Sequence, residues 1–431
     1  MIGLPGLPTD DLPFDDLLRR YADAAVTAGL NLRPGQRLLI IGPRTTGGVS
    51  LEVAPLVRAL VSSAYRAGAP LVEVWWGDED LALARLAEAP GESFSLFSAW
   101  QPNALVEHVE AGHAVLSVYA NDPDLFRHQP TDRIAAMQQA ASRALQPFSD
   151  RIARNATNWL VMCGATARWA AKVYPELDPA AQTAALWHAI FRMCRLEGQG
   201  TAITWQKHLE RLATRAAALN AKRYRALHYR GPGTDLVVGL ADDHAWVSGR
   251  SLNQRGISFA PNMPTEEVFT MPHRDRVNGR VRATKPLSYG GMMIENLQLR
   301  FADGRIVEAT ASTGESVLRS MIASDQGAAR LGEVALVPHG SPISQSGRLF
   351  YNTLFDENAA SHLALGSAYR FTMRNGDRLT DDAFAAAGGN HSMIHVDFMI
   401  GSEALDIDGE LQGGTTEPVM RAGEWQGDVR I

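Results

Sequence analysis

The sequence predicts an α/β N-terminal domain with a largely parallel sheet over residues 1–222. An α+β C-terminal domain with a mixed or antiparallel sheet follows over 223–431. Two textures lead to this expectation. Before about residue 220, buried strand-like runs alternate with stretches whose apolar residues recur at helical spacing, as in parallel sheets covered by helices. After Tyr224, short alternating runs are separated by Gly, Asn and Asp turns, which is the pattern of hairpin-linked strands. A chain of 431 residues is long enough for each domain to bury its own core.

The elements follow in order. Residues 1–13 hold three prolines and read as an irregular lead-in. Over 14–29, Leu17, Leu18, Tyr21, Ala24 and Ala25 fall at helical spacing. Pro34-Gly35 then turns the chain into a buried strand at 37–42. A helix over 51–67, closed by Gly68, leads to a strand at 70–76 and a helix at 81–89. Strands recur at 114–119 and 159–163, and 180–220 is almost wholly helical. In the second half, strands are expected at 226–229, 236–240, 280–283, 297–301 and 306–311, with helices near 314–324 and 356–366.

Composition narrows the function. The net charge of −6 argues against nucleic acid or anionic membranes as main partners. No apolar run approaches the ~20 residues of a membrane helix, and the N-terminus has no basic segment followed by a long apolar one, so no secretion signal is read. The two cysteines, Cys163 and Cys194, sit in apolar segments, make no zinc pattern, and fit a reducing cytoplasm. The run Gly42-Pro-Arg-Thr-Thr-Gly47-Gly48 has phosphate-loop spacing but lacks the lysine, so it reads as a tight strand-to-helix connection.

The densest chemistry lies between Thr265 and Asp397. Acids and histidines recur there at the edges of apolar runs, and buried carboxylates need a partner or a metal. Glu266 and Glu267 open an extended run, so only one of them can enter a given site. Glu333 is expected just before a buried strand, at 334–337. Glu357 and His362 are five apart. On one helix they would stand some 140° apart, so they would serve one centre only if the helix began after Glu357 or if they approached different metals. His395 and Asp397 are the sharpest pair, since positions i and i+2 of a strand face one way.

These segments together resemble the M29 family of metallo-aminopeptidases. The resemblance is carried by NMPTEEVFT at 262–270, LGEVALV at 331–337, FYNTLFDEN at 350–358 and HVDFMIG at 395–401, and it runs the length of the chain. It implies two divalent metals in a C-terminal catalytic domain, with ligands Glu267, Glu333, Glu357, His362, His395 and Asp397. It also implicates Tyr369, seven residues past the histidine, and implies a homodimer that restricts access to the site.

The expected function is therefore a cytoplasmic aminopeptidase acting on peptides with a free N-terminus. A two-metal site would activate water and polarise the scissile carbonyl. Tyr369 would donate to the oxyanion, and Glu266 or Glu357 would serve as general base. Sulfur-free ligation permits zinc, cobalt, manganese or magnesium. The same ligands could instead serve another dinuclear hydrolase, an amidase or phosphoesterase, or a non-catalytic peptide- or metal-binding protein.

Overall fold

The structure is a computed structural model in which residues 12–43, 47–196, 201–289 and 292–430 are described. The lead-in over 1–13 lies outside the described residues except for its last two positions, as do residues 44–46 of the glycine loop. The chain divides into two compact units: residues 1–208 with 251–263, and 209–250 with 264–431.

The first unit holds a five-stranded parallel sheet, ordered Asn262–Met263, Trp159–Cys163, Ala114–Tyr119, Leu38–Ile41 and Val72–Val74. Helices connect its strands, as parallel pairing requires. The first helix, Phe14–Ala24, buries Leu17, Leu18 and Tyr21 and donates the Tyr21 hydroxyl to the carbonyl of Cys163 at 3.1 Å. Both cysteines are buried and neither is in a disulfide. The alternation of strand and helix is the one expected.

The second unit is built on two antiparallel sheets. The larger has eight strands, from Arg305–Thr310 at one edge to Glu424–Trp425 at the other. The smaller has five, ordered His395–Met399, His362–Gly366, Leu331–Leu336, Val268–Thr270 and Val247–Ser248. Side chains alternate between the faces of a strand, so each of these strands has two destinations. Val268, Val334, Leu336, Leu363, Leu365 and Phe398 join the unit's main apolar core together with Leu227, Tyr229, Leu236 and Val238 of the larger sheet. Each such side chain contributes about 1.5–3 kcal/mol on burial. The alternate positions, Glu333, Ala335, His362, Ala364, His395 and Asp397, are left for the opposite face.

Three expectations change. The boundary at 222/223 does not coincide with the division of the chain. The division falls between His208 and Leu209, inside the helix Thr201–Lys222, and the segment 251–263 belongs to the first unit, where two of its residues extend the parallel sheet. The helix near 356–366 is not formed. A short helix, Thr353–Asp356, and one 3₁₀ turn, Glu357–Ala359, give way to the strand His362–Gly366. That strand is paired on both sides, and such pairing overrides the helix preference of its Ala- and Leu-rich sequence. Finally, Glu333 lies inside its strand, third in Leu331–Leu336, and not before it. The helix expected near 314–324 is present as Glu315–Ile322.

Candidate metal centre

The register of the five-stranded sheet assembles the site. Glu333 is opposite Ala364, and Ala364 is opposite Asp397. Residues opposite one another point to the same face, so one rung carries two carboxylates with a methyl group between them. On the adjacent rung, Ala335 is opposite His362, and His395 stands two residues before Asp397. The small side chains of Ala335 and Ala364 keep the floor low and leave room above it for the longer acids and rings. Gly366, opposite His395, has φ +102°, and a Cβ there would lie 2.1 Å from the carbonyl of Ile394. Only glycine tolerates both conditions. The turn it permits places the Ser367 carbonyl beside the His395 ring.

Two groups of ligand atoms result: Glu267 with Glu333 and His362, and Glu333 with His395 and Asp397. Within each group the atoms lie within 4.8 Å of one another. Glu333 belongs to both. Its Oε1 is 3.5 Å from His362 Nε2, and its Oε2 is 3.7 Å from His395 Nε2. Glu267 Oε2 is 3.3 Å from His362 Nε2, and Asp397 Oδ1 is 3.5 Å from His395 Nε2. Each group could hold one cation.

The second nitrogen of each ring strengthens that fit. His362 Nδ1 lies 3.1 Å from the carbonyl of Ala360, and His395 Nδ1 lies 2.8 Å from the carbonyl of Ser367. A carbonyl only accepts, so Nδ1 carries the hydrogen in both rings. In the neutral imidazole Nε2 then presents its lone pair to the carboxylates, as a metal ligand does. Asp397 Oδ1 is buried without a hydrogen-bond partner among the described residues, which suits a ligand oxygen. The donor set of carboxylate oxygen and imidazole nitrogen suits zinc, cobalt or manganese.

The electrostatics agree. Burial pushes the Glu333 carboxyl up, although both histidines oppose this, and burial with the neighbouring acids pushes Glu357 well above the usual range. Burial disfavours charge on the rings. Even so, the hydrogen bonds of Glu267 and Glu333 hold His362 well above an ordinary histidine, and Asp397 holds His395 up to about 10. For Asp397 burial works upward but is outweighed by His395, leaving the carboxyl below its ordinary value. Four carboxyl groups face two imidazoles, an excess of acids in a buried space where burial and the neighbouring acids raise the proton affinity of Glu333 and Glu357. Cations relieve that imbalance.

Other expected residues are placed as follows. Glu357, in the 3₁₀ turn, is outside both groups but close enough to feel the charges of Glu267, Asp397, His362 and Glu333. The angular difficulty of sharing one helix with His362 does not arise, because His362 opens a strand. Glu266 is buried and in neither group, while its backbone N–H donates to Asn358 Oδ1 at 2.7 Å. Tyr369 follows a strand and not a helix. It is 38% exposed, and its ring lies 4.8 Å from that of His395. Desolvation, then Glu333, Asp397, Glu357 and Glu267, hold its phenol well above the ordinary value. Sequence reasoning passed over Asn358, which also donates from Nδ2 to the Leu354 carbonyl at 2.9 Å and to Glu357 Oε1 at 3.4 Å, tying the two acidic segments together. It also passed over Ala364, whose signal was a small residue between two leucines in a buried run.

Comparison with known proteins agrees with this chemistry. The family model for thermophilic metalloproteases (M29) matches residues 14–425, and the chain belongs to that family. It is 44% identical to Aminopeptidase 2 of Geobacillus stearothermophilus over 408 residues, spanning 95% of this chain and 97% of that one. It is 43% identical to Aminopeptidase T of Thermus thermophilus, over 95% of this chain and 98% of that one. The solved structure of wild-type AmpT from Thermus thermophilus superposes with a TM-score of 0.90 at 42% identity, covering 96% of this chain and all of that one.

Proposed function

We propose that the two groups would hold two divalent ions, with Glu333 among the residues holding each, and that this centre releases the N-terminal residue of peptides. The enzyme is an aminopeptidase of the M29 family. The observation that carries the two-ion reading is the shared carboxylate, one oxygen toward each histidine, with both Nδ1 atoms already committed to carbonyls.

Glu267, Glu333 and His362 would hold one ion, and Glu333, His395 and Asp397 the other, with Glu357 completing the ligand set from its turn. Divalent ions bound there supply Lewis acidity toward a scissile carbonyl and an acidified water. A free amino terminus offers a nitrogen lone pair that a bound ion would accept, and a blocked terminus does not. Tyr369 donates its hydroxyl to the oxygen that becomes negative in the transition state, and its raised pKa keeps that proton in place at neutral pH. The general base is proposed to be whichever of Glu266 and Glu357 the ions leave free. The working form is proposed to be a homodimer, on family grounds. A cytoplasmic location is proposed because the sequence has only two cysteines and they form no disulfide. Among the described residues no helix is long and apolar enough to cross a membrane.

Chelation tests the reading. Dialysis against a strong chelator should abolish hydrolysis of unblocked aminoacyl amides, and zinc, cobalt or manganese should restore it, because sites without thiolate release ions more readily. Amides with an acetylated N-terminus should not be cleaved at any stage. Full activity in protein verified as metal-free would refute the reading.

A further inference from the structure

Beside the two groups runs a continuous line of aromatic rings. Phe269 is opposite Ala335, which is itself opposite His362, so Phe269 stands on the ligand-bearing face with a single strand between it and His362. Its ring meets Phe371 edge-on at 6.2 Å and 79°. Phe371 stacks on Tyr369 at 5.1 Å and 18°, and Tyr369 reaches the ring of His395 at 4.8 Å. The line therefore begins on the rung of one candidate ligand and ends on another. It is not core, since Phe269 and Phe371 are only half-buried and Tyr369 is exposed, whereas Glu333 and His362 on the floor are buried. Open aromatic faces beside a few convergent polar groups are the lining of a ligand pocket.

Building on the aminopeptidase reading, we propose that Phe269, Phe371 and the ring face of Tyr369 form the subsite for the side chain of the substrate's N-terminal residue, and that it selects large apolar side chains, aromatic or branched aliphatic. That residue is singled out by covalent geometry. Its α-carbon is bonded to both the free amine and the scissile carbonyl carbon, and both groups must sit over the carboxylate–imidazole floor. Its side chain consequently leaves from above the floor, where the wall bordering both groups is aromatic. The side chain of the next residue departs from beyond the leaving nitrogen.

The test uses metal-replete full-length protein and two dipeptide panels. One varies the N-terminal residue among Gly, Ala, Leu and Phe before a fixed alanine; the other fixes an N-terminal alanine and varies the second residue. The parent should prefer Leu and Phe at the first position. Phe371→Ala should lower the ratio of kcat/KM for Phe over Ala at that position by about 10- to 100-fold. Phe371→Leu, which keeps an apolar side chain if the smaller variant folds poorly, should lower it less, and Phe269→Ala should act in the same direction. Ratios in the second panel should be unchanged. An unaltered ratio in the first panel, an equal fall on every substrate, or a change confined to the second panel would overturn the proposal. A parent that cleaves neither panel would instead overturn the reading of the site on which it rests.

Discussion

Glu333→Ala is expected to empty both metal positions and lower kcat/KM by at least roughly 10³-fold, because several kcal/mol of charge stabilisation depend on the ions. The expectation follows from where the sheet puts this residue. It is the one acid common to both groups, and its two oxygens face different histidines at 3.5 and 3.7 Å. Removing Glu267 or Asp397 leaves one group intact, so the corresponding alanine variants should keep more metal than Glu333→Ala. The strand itself should survive, since Leu331–Leu336 is held by backbone pairing on both sides and by Val334 and Leu336 in the core. Metal analysis, circular dichroism and kinetics on one preparation separate these effects. A Glu333→Ala protein that retains two ions per chain would place the centre elsewhere.

The second large effect is expected at Tyr369. Tyr369→Phe keeps the ring, and with it the stack on Phe371 and the contact with His395, but removes the hydroxyl. If that hydroxyl donates chiefly in the transition state, kcat should fall by roughly 10²–10³-fold with KM little changed. Metal content and melting temperature should match the parent. An unchanged kcat would leave the tyrosine with only its stacking role.

The legibility of this chain in its sequence varied with the kind of structure. The parallel sheet announced itself, because strands such as Leu38–Ile41 and Ala114–Tyr119 are apolar runs flanked by clear helices. His395 and Asp397 were readable as a converging pair because strand alternation is a local rule. The segment around His362 was not. Asp356 to Gly366 is rich in Ala and Leu, and only the pairing of 362–366 with strands at 331–336 and 395–399 makes its second half extended. The same non-local pairing brings Glu333, distant in sequence, onto the rung of Asp397. The return of 251–263 to the first unit was hidden for a related reason. Its two-residue strand, Asn262–Met263, has meaning only beside Trp159–Cys163. The aromatic line escaped notice because Phe269 and Phe371 each look like ordinary core residues until register and ring contacts show them together.

The central claim is that two cations sit between these side chains. It is tested most directly by anomalous X-ray diffraction from crystals of the zinc- or cobalt-loaded protein. Two peaks per chain are expected, one among Glu267, Glu333 and His362 and one among Glu333, His395 and Asp397. A single peak, or peaks away from Glu333, would contradict it.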